Sequence, residues 1–233
     1  MRLSGIQPFT LLDFPGKIAC ITFTPGCNFR CGYCHNPEFV LPEKLREIKD
    51  SFIDEEVFFS FLKKRQGLLD GVVVSGGEPT MMYDLISFME KIKALGFLVK
   101  LDTNGNKPEV LREAIEKKVI DYVAMDIKTT PAKYKELVGG LAQEERLQES
   151  IALLKTNIVP YEFRTTLVKE IHTSAILEEM AKTISGAPKL YLQTFRPDHV
   201  LDPKFSLFHP FTMSEMEMAK DIFATAVGEV YIR

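Results

Sequence analysis

The sequence lacks the features that mark membrane, secreted and nucleic-acid-binding proteins. No apolar run in its 233 residues approaches the roughly 18 residues of a membrane span, and its start has no apolar stretch of secretory-signal length. The net charge of −3 gives no general attraction to nucleic acid or to an anionic membrane. Low-complexity segments, charge blocks and repeats are missing as well. We therefore expect a cytoplasmic globular protein with no nucleic-acid or membrane partner.

Cysteine is scarce and unevenly distributed. The chain has four cysteines. Cys27, Cys31 and Cys34 lie close together, whereas Cys20 lies in an apolar run that predicts a strand. A secreted disulfide scaffold would be shorter and richer in cysteine. In a reducing compartment clustered thiols are more often metal ligands, so the three clustered cysteines are candidate ligands.

The length suits one sizeable core, and we expect a single domain over residues 1–233, with a lead-in over 1–16 and the main fold over 17–233. Short β-branched runs alternate with amphipathic helical patterns. The predicted strands are 18–24, 72–75, 98–102, 122–126, 162–167 and 190–194, with a short last run at 229–232. This alternation predicts an α/β fold with parallel strands and right-handed crossovers. Both an open doubly wound sheet and an incomplete barrel fit this pattern.

Short segments that contain charged and polar residues lie at the carboxyl ends of the predicted strands. Ser-Gly-Gly-Glu-Pro occupies 75–79, Asp-Thr-Asn-Gly occupies 102–105, and Asp-Ile-Lys occupies 126–128. The three clustered cysteines follow the first predicted strand in the same way. The carboxyl ends of parallel strands share one face, where ligands bind in such folds. We therefore expect these segments to meet at one mouth.

The spacing Cys-x3-Cys-x2-Cys is compact enough for three thiolates to hold one 4Fe–4S cubane. An electron-carrying cluster normally takes a fourth cysteine, and Cys20, on a strand directed into the core, is a poor candidate. Three ligands leave one iron open, as a catalytic cluster requires. The alternative is a zinc site completed by His35. However, residues as close as Cys34 and His35 seldom both reach one tetrahedral ion.

The cysteine spacing, with the aromatic Tyr33 just before the third ligand, resembles the signature of the radical S-adenosylmethionine (SAM) superfamily. By motif the resemblance covers residues 5–128, and more loosely it extends to 194. It implies a partial (β/α)6 TIM-like barrel, a 4Fe–4S cluster on Cys27, Cys31 and Cys34, and SAM bound at the open iron. Reductive cleavage of SAM would give a 5′-deoxyadenosyl radical, with the electron supplied by a flavodoxin or ferredoxin.

The same resemblance implies which residues bind SAM. Gly-Gly-Glu-Pro resembles an element whose backbone approaches the methionyl amino group, and Asp102 and Asp126 would lie beside SAM and hold a monovalent cation. Taken singly, these segments could equally be a strand-to-helix turn and two helix N-caps. Gln193 stands where relatives often have a histidine, so the resemblance fails there. The predicted cofactor contacts are Tyr33, His35, Gly76, Gly77, Glu78, Asp102, Asn104, Asp126, Lys128, Arg164 and Gln193.

Two segments indicate which substrate is acted on. Cys-His-Asn-Pro at 34–37 resembles the continuation found in glycyl-radical-enzyme activases, and 5–16 resembles the lead-in of activating proteins for anaerobic ribonucleoside-triphosphate reductase. Asp13 in that lead-in matches an acid near the target glycine and is the candidate catalytic residue. A plain turn is its other interpretation. The expected partner is a glycyl radical enzyme, with anaerobic ribonucleotide reductase first and a pyruvate formate-lyase-like enzyme second.

Two other functional classes remain open. One is a small-molecule radical SAM enzyme such as a 7-carboxy-7-deazaguanine synthase, although that family usually has an acidic residue where His35 stands. The other is a non-catalytic iron–sulfur or zinc protein. The segment 196–211 has three prolines and three phenylalanines, and it could be a docking surface, a lid, or a loop that covers the core.

Overall fold

The computed structural model describes residues 1–139 and 141–233. The strands are β1 (Arg2–Leu3), β2 (Gly5–Thr10), β3 (Ala19–Thr24), β4 (Ile53–Asp54), β5 (Gly71–Gly76), β6 (Leu98–Thr103), β7 (Tyr122–Asp126), β8 (Tyr161–Leu167), β9 (Lys189–Thr194) and β10 (Glu229–Ile232). The α-helices are α1 (Pro42–Ile48), α2 (Glu55–Lys63), α3 (Leu85–Ala94), α4 (Pro108–Glu116), α5 (Tyr134–Val138), α6 (Glu144–Lys155), α7 (Ser174–Thr183) and α8 (Met213–Ala224).

Eight strands form one sheet in the order β10-β9-β8-β7-β6-β5-β3-β2. The pairs from β3 to β10 are parallel, and β2 is antiparallel to β3. Each parallel strand lies beside the next parallel strand along the chain. A doubly wound sheet reverses its order at a switch point, and this sheet does not. Its order is that of an incomplete barrel with β2 and β10 as its edges, and the α/β prediction with a mostly parallel sheet is confirmed.

The N-terminal segment differs from the sequence-based description. The predicted lead-in over 1–16 contributes β2 to the main sheet, and β1 pairs antiparallel with β4 in a separate two-stranded sheet. The run Gly5–Thr10 was not recognised as a strand because it contains a proline and lacks regular alternation. Proline is tolerated on an edge strand, where one backbone N–H faces away from the sheet, and β2 is such an edge.

Alternation along the strands separates an apolar side from a polar side. On β6, Val99 and Leu101 pack into the hydrophobic core, whereas Lys100 and Asp102 point to the opposite face. Helix α3 covers the apolar side with Leu85, Phe88, Met89 and Ile92, all fully buried. Helix α8 begins with a capping box between Thr212 and Glu215. Among the described residues, no helix has both the length and the apolar composition of a membrane span.

Candidate active site

A cavity of about 670 Å³ opens at the carboxyl ends of the strands. That volume lies within the range of small-molecule sites. The wall includes Gln7 from edge strand β2 and Arg233, which directly follows the other edge strand, β10. Since residues from both edges of one sheet line the same space, the sheet curves around the cavity. The polar sides of the strands therefore enclose a single site.

The three clustered cysteines lie at this cavity on the loop 25–36, the cysteine loop. This loop directs backbone N–H groups at two of the sulfurs. Phe29 N is 3.3 Å from Cys27 Sγ, and Asn36 N is 3.5 Å from Cys34 Sγ. Hydrogen bonds to sulfur are among the features that tune iron–sulfur clusters. Burial raises the pKa of the Cys27 thiol to about 12 and that of Cys31 to about 11. The positive charge of a bound metal would favour their thiolate forms.

These thiols fit an iron–sulfur cluster by their number, their common cavity and their N–H···S contacts. Within residues 1–139 and 141–233, no three His, Cys, Asp or Glu side chains meet closely enough to bind a single metal ion. Cys20 lies on β3 with its side chain in the hydrophobic core, outside the residues that line the cavity. The structure therefore keeps Cys20 apart from the three clustered thiols.

Gly76 and Gly77 let the end of β5 lie directly on the start of the cysteine loop. Gly76 has φ +123°, and a Cβ there would overlap the backbone of Thr24. A Cβ on Gly77 would overlap the carbonyl of Gly26. Two backbone hydrogen bonds join the segments, from Gly77 N to Thr24 O at 2.9 Å and from Glu78 N to Gly26 O at 2.8 Å. Any larger residue would separate the two loops.

The carboxylate of Glu78 joins two loops at the cavity wall. It accepts hydrogen bonds from Thr80 N at 3.1 Å, Thr103 Oγ1 at 2.7 Å and Asn104 N at 2.7 Å. Burial raises the pKa of Glu78, although these donors oppose the rise. Asn104 in turn donates its Nδ2 to Asn28 Oδ1 in the cysteine loop at 2.8 Å. Glu78 thus holds in place the loops that follow β5 and β6, and Asn104 connects them to the cysteine loop.

Asp102 and Asp126 lie at the cavity in an ion-pair network that is buried at Asp102 and partly buried at Asp126. Arg164 bridges them, with Nη1 3.0 Å from Asp102 Oδ2 and Nε 3.1 Å from Asp126 Oδ1. Lys128 Nζ is 3.2 Å from Asp126 Oδ2, as expected for side chains two residues apart. Burial opposes ionisation, but the Arg164 and Lys100 charges outweigh it for Asp102, as the Lys128 and Arg164 charges do for Asp126. They hold the pKa of both carboxyls below its usual range.

Two nitrogens of the Arg164 guanidinium are therefore paired with protein carboxylates. The contact of Arg164 with SAM stays a prediction. The chain places Arg164 directly opposite Asp126 in the register of β7 and β8, which explains the ion pair without any ligand.

Tyr33, His35 and Gln193 also line the cavity. The Tyr33 hydroxyl is buried, and it finds no hydrogen-bond partner among the described residues. A buried polar atom without a partner at a cavity wall fits contact with a polar ligand. The His35 ring is stacked on Phe195 with centroids 6.1 Å apart, and its Nε2 accepts from Arg196 N at 3.3 Å. Burial lowers the pKa of His35.

The segment 196–211 covers the cysteine loop. Asp202 N donates to Gly32 O at 3.0 Å, and the Phe205 ring fills the space that a Cβ on Gly32 would need. Phe205 also packs near Tyr33, with ring centroids 6.1 Å apart. The sequence left open a docking surface, a lid or a covering loop for this segment, and these contacts are those of a covering loop. Docking of a partner on the same segment stays a prediction.

Asp13 lies at the β2 side of the cavity, in the loop that follows that edge strand. Its side chain is half-buried and accepts from the Thr10 hydroxyl. Its neighbour Leu12 is 71% exposed and also lines the cavity. Asp13 is thus near an accessible rim of the site, and its catalytic role stays a prediction.

Two residues that matter at the site were missed in the sequence. Lys100 is fully buried beside Asp102. Its signal was present, since a lysine two positions before an aspartate in an apolar strand shares that residue's face. His172 is buried in the loop after β8, where its Nδ1 accepts from Val168 N at 2.9 Å and its Nε2 donates to Lys128 O at 3.0 Å. Burial lowers the pKa of His172, and no sequence pattern indicates this role.

Comparison with known proteins finds a matching family and several similar enzymes. Residues 21–184 match the family described as the radical SAM superfamily. A Methanocaldococcus jannaschii protein provisionally named as a glycyl-radical enzyme activating enzyme is 35% identical over 99% of this chain and 95% of its own. The 7-carboxy-7-deazaguanine synthase of Thermococcus kodakarensis is 28% identical over 79% of this chain and 77% of its own.

Two further matches complete the comparison. The pyruvate formate-lyase-activating enzyme of Listeria monocytogenes is 34% identical, over 58% of this chain and 57% of its own. Among solved structures, Streptococcus suis SuiB bound to S-adenosylmethionine superimposes with a TM-score of 0.62 at 13% identity, covering 91% of this chain and 51% of that one. At that identity the likeness concerns the fold alone.

Proposed function

The chain belongs to the radical SAM superfamily, and we propose that it installs a glycyl radical on a partner enzyme, anaerobic ribonucleotide reductase. The proposed cofactors are a 4Fe–4S cluster on Cys27, Cys31 and Cys34, and SAM. When bound, they would supply one-electron cleavage of SAM to methionine and a 5′-deoxyadenosyl radical, which takes hydrogen from a glycine Cα to leave 5′-deoxyadenosine.

The protein's own residues place the reactants and exclude water. Lys128 offers its ammonium to the SAM carboxylate or ribose. Burial opposes the charged form, but the Asp126 carboxylate and other nearby groups outweigh it and hold the pKa of Lys128 above its usual value. The Tyr33 hydroxyl offers a polar contact on the opposite loop. Glu78 fixes the backbone of the Gly-Gly-Glu-Pro segment. Its proposed role is to position the loop that the SAM amino group would contact.

The observation that carries the proposal is the meeting of the three thiols with Lys128 and Tyr33 around one cavity. The lining of that cavity extends to both edges of the sheet and includes Asp13. This extent supports a polypeptide as the substrate. Similarity to the M. jannaschii activating enzyme over nearly the full length supports the same conclusion. A flavodoxin or ferredoxin is the proposed electron donor.

The test is electron paramagnetic resonance after anaerobic incubation of the reduced, cluster-loaded protein with SAM and each glycyl radical enzyme of the same organism. We expect a glycyl doublet with the reductase partner and equimolar 5′-deoxyadenosine. The Cys34→Ala variant should give neither, and Cys20→Ala should give both. SAM cleavage without a glycyl signal on any such partner would contradict the proposed substrate.

A second candidate is synthesis of 7-carboxy-7-deazaguanine, favoured by the similarity to the T. kodakarensis enzyme. The position that is usually acidic in that family is His35 here, and this residue is stacked on Phe195. Mass spectrometry would distinguish the two. Formation of 7-carboxy-7-deazaguanine without a glycyl doublet would favour the small-molecule activity.

A further inference from the structure

Lys100 is a charged residue of the site to which the proposed chemistry assigns no role. Its side chain is 0% exposed, and its ammonium lies 2.5 Å from Asp102 Oδ1 and 3.9 Å from Glu162 Oε1. Lysine is almost never fully buried unless it is paired, because a charge taken from water needs close partners. The partner in closest contact is Asp102. Glu162 is farther away and also accepts from Tyr122 Oη at 3.0 Å.

The oxygens of the two acids that were expected to hold a monovalent cation are already paired. Asp102 faces Lys100 through Oδ1 and Arg164 through Oδ2. Asp126 faces Arg164 through Oδ1 and Lys128 through Oδ2. Hard cations in proteins are bound by oxygen ligands, and here each carboxylate oxygen has a protein cation beside it. The residues therefore do not fit a resident monovalent ion.

The network is also neutral without any added ion. Its three carboxylates and three cations are Asp102, Asp126, Glu162, Lys100, Lys128 and Arg164. A further cation would have ammonium and guanidinium groups as close neighbours, in a partly enclosed site where repulsion between like charges is stronger than in water. Such an ion would have to share a carboxylate oxygen with one of these protein cations.

We propose that the Lys100 ammonium is the built-in cation of this SAM site and takes the place of a monovalent metal ion beside Asp102. Lys100 is a positioning residue, because it acts on the cavity through Asp102, and through Asp102 on the orientation of Arg164. The consequence is that SAM binding does not depend on sodium or potassium. This inference rests on the proposed SAM chemistry and is independent of which partner receives the radical.

The first test uses the cluster-loaded wild-type protein. SAM binding is measured by anaerobic titration calorimetry in a tetramethylammonium buffer, and again with potassium or sodium chloride at the same ionic strength. We expect dissociation constants that agree within about twofold in all three buffers. A gain of about tenfold or more in affinity on adding either metal ion would overturn the inference.

The second test uses Lys100→Met, with Lys117→Met as the matched control. Lys117 is a half-exposed lysine paired with Glu113 at the end of α4. We expect Lys100→Met to bind SAM about tenfold or more weakly in tetramethylammonium, and potassium or sodium to restore most of that loss. Lys117→Met should match the wild type in every buffer.

The outcomes separate this inference from the proposed function. Unchanged SAM affinity of Lys100→Met in tetramethylammonium would overturn the inference. If circular dichroism or iron content shows that Lys100→Met does not fold, the wild-type titration alone decides. Absence of SAM binding in every buffer would overturn the proposed function as well, whereas binding that needs potassium or sodium would overturn the inference alone.

Discussion

Replacing Arg164 by methionine removes the residue that bridges Asp102 and Asp126. Methionine keeps an unbranched side chain of similar length, so the main change is loss of the guanidinium. Lys100 and Lys128 would remain as partners of the two acids, but one oxygen of each carboxylate would lose its cation. Removing one partner of a buried ion pair costs about 3–5 kcal/mol of stability, because the remaining charge stays out of water without compensation.

That magnitude corresponds to a large change in thermal stability. For domains of this size, 1 kcal/mol shifts the melting temperature by about 2–4 °C. We therefore expect Arg164→Met to melt about 6–20 °C below the wild type at neutral pH. The matched control is Arg112→Met. Arg112 makes an exposed ion pair with Glu149, in which the side chains are 45% and 50% exposed, and such pairs contribute about 1 kcal/mol or less.

The loss should also depend on pH. In the wild type the pKa of Asp102 and of Asp126 is lowered, so their ionisation stabilises the fold above the unfolded pKa of about 3.9. That stability is lost as pH falls through the lower folded pKa. Without the Arg164 charge, both pKa values rise relative to the wild type, because burial is then opposed by fewer cations. Protonation then relieves the penalty, so the difference between variant and wild type should shrink from about pH 7 to about pH 5.

The assay is urea unfolding of the iron-free chain under argon, followed by circular dichroism at both pH values. Arg164→Met should lose about 3–5 kcal/mol at neutral pH and less at acidic pH. A loss of about 1 kcal/mol or less, like that of the exposed control, would refute the claim that the network is a buried and mutually dependent unit. An equal loss at both pH values would refute the electrostatic explanation.

Three further predictions concern the cysteine loop. Cys34→Ala should abolish cluster binding, whereas Cys20→Ala should retain iron and the absorbance of the cluster; iron loss in Cys20→Ala would contradict the three-ligand site. Gly77→Ala should lose about 1–3 kcal/mol in urea unfolding, because its Cβ would overlap a backbone carbonyl of the cysteine loop; wild-type stability would show that the loops can separate freely. Phe205→Ala should uncover Gly32, so the cluster absorbance should decay faster in air than in the wild type, and equal decay rates would contradict the covering role.

The pattern of elements was predictable because it rests on periodicity and strand ends. The alternation of β-branched runs with helical patterns predicted β3 and the strands from β5 onwards, but not the short strand β4. The carboxyl ends of the predicted strands do share one cavity. The edge strand β2 was missed because its own sequence has no regular alternation. Its strand conformation depends on pairing with β3, which a local pattern does not indicate. Periodicity left two topologies open, and only the strand order in space separates them.

The individual contacts were less predictable, since they join residues far apart in the chain. The bridge from Arg164 to Asp102 spans 62 positions, and nothing in either segment indicates the other. Lys100 could have been recognised from its place two residues before Asp102 in a strand. His172 could not, because its two hydrogen bonds depend on how the loop after β8 returns to Lys128.

The position of Lys100 on the same strand as Asp102 has a consequence for the order of assembly. During synthesis from the N-terminus, Asp102 emerges with its own counter-ion two residues earlier, long before Arg164 follows. Neighbouring strands in this sheet are also neighbours in sequence, which keeps the early contacts local. A partly formed sheet that ends at β6 therefore already contains the cation, Lys100, that neutralises Asp102. This reduces the exposure of an unpaired charge in the intermediates through which larger proteins fold.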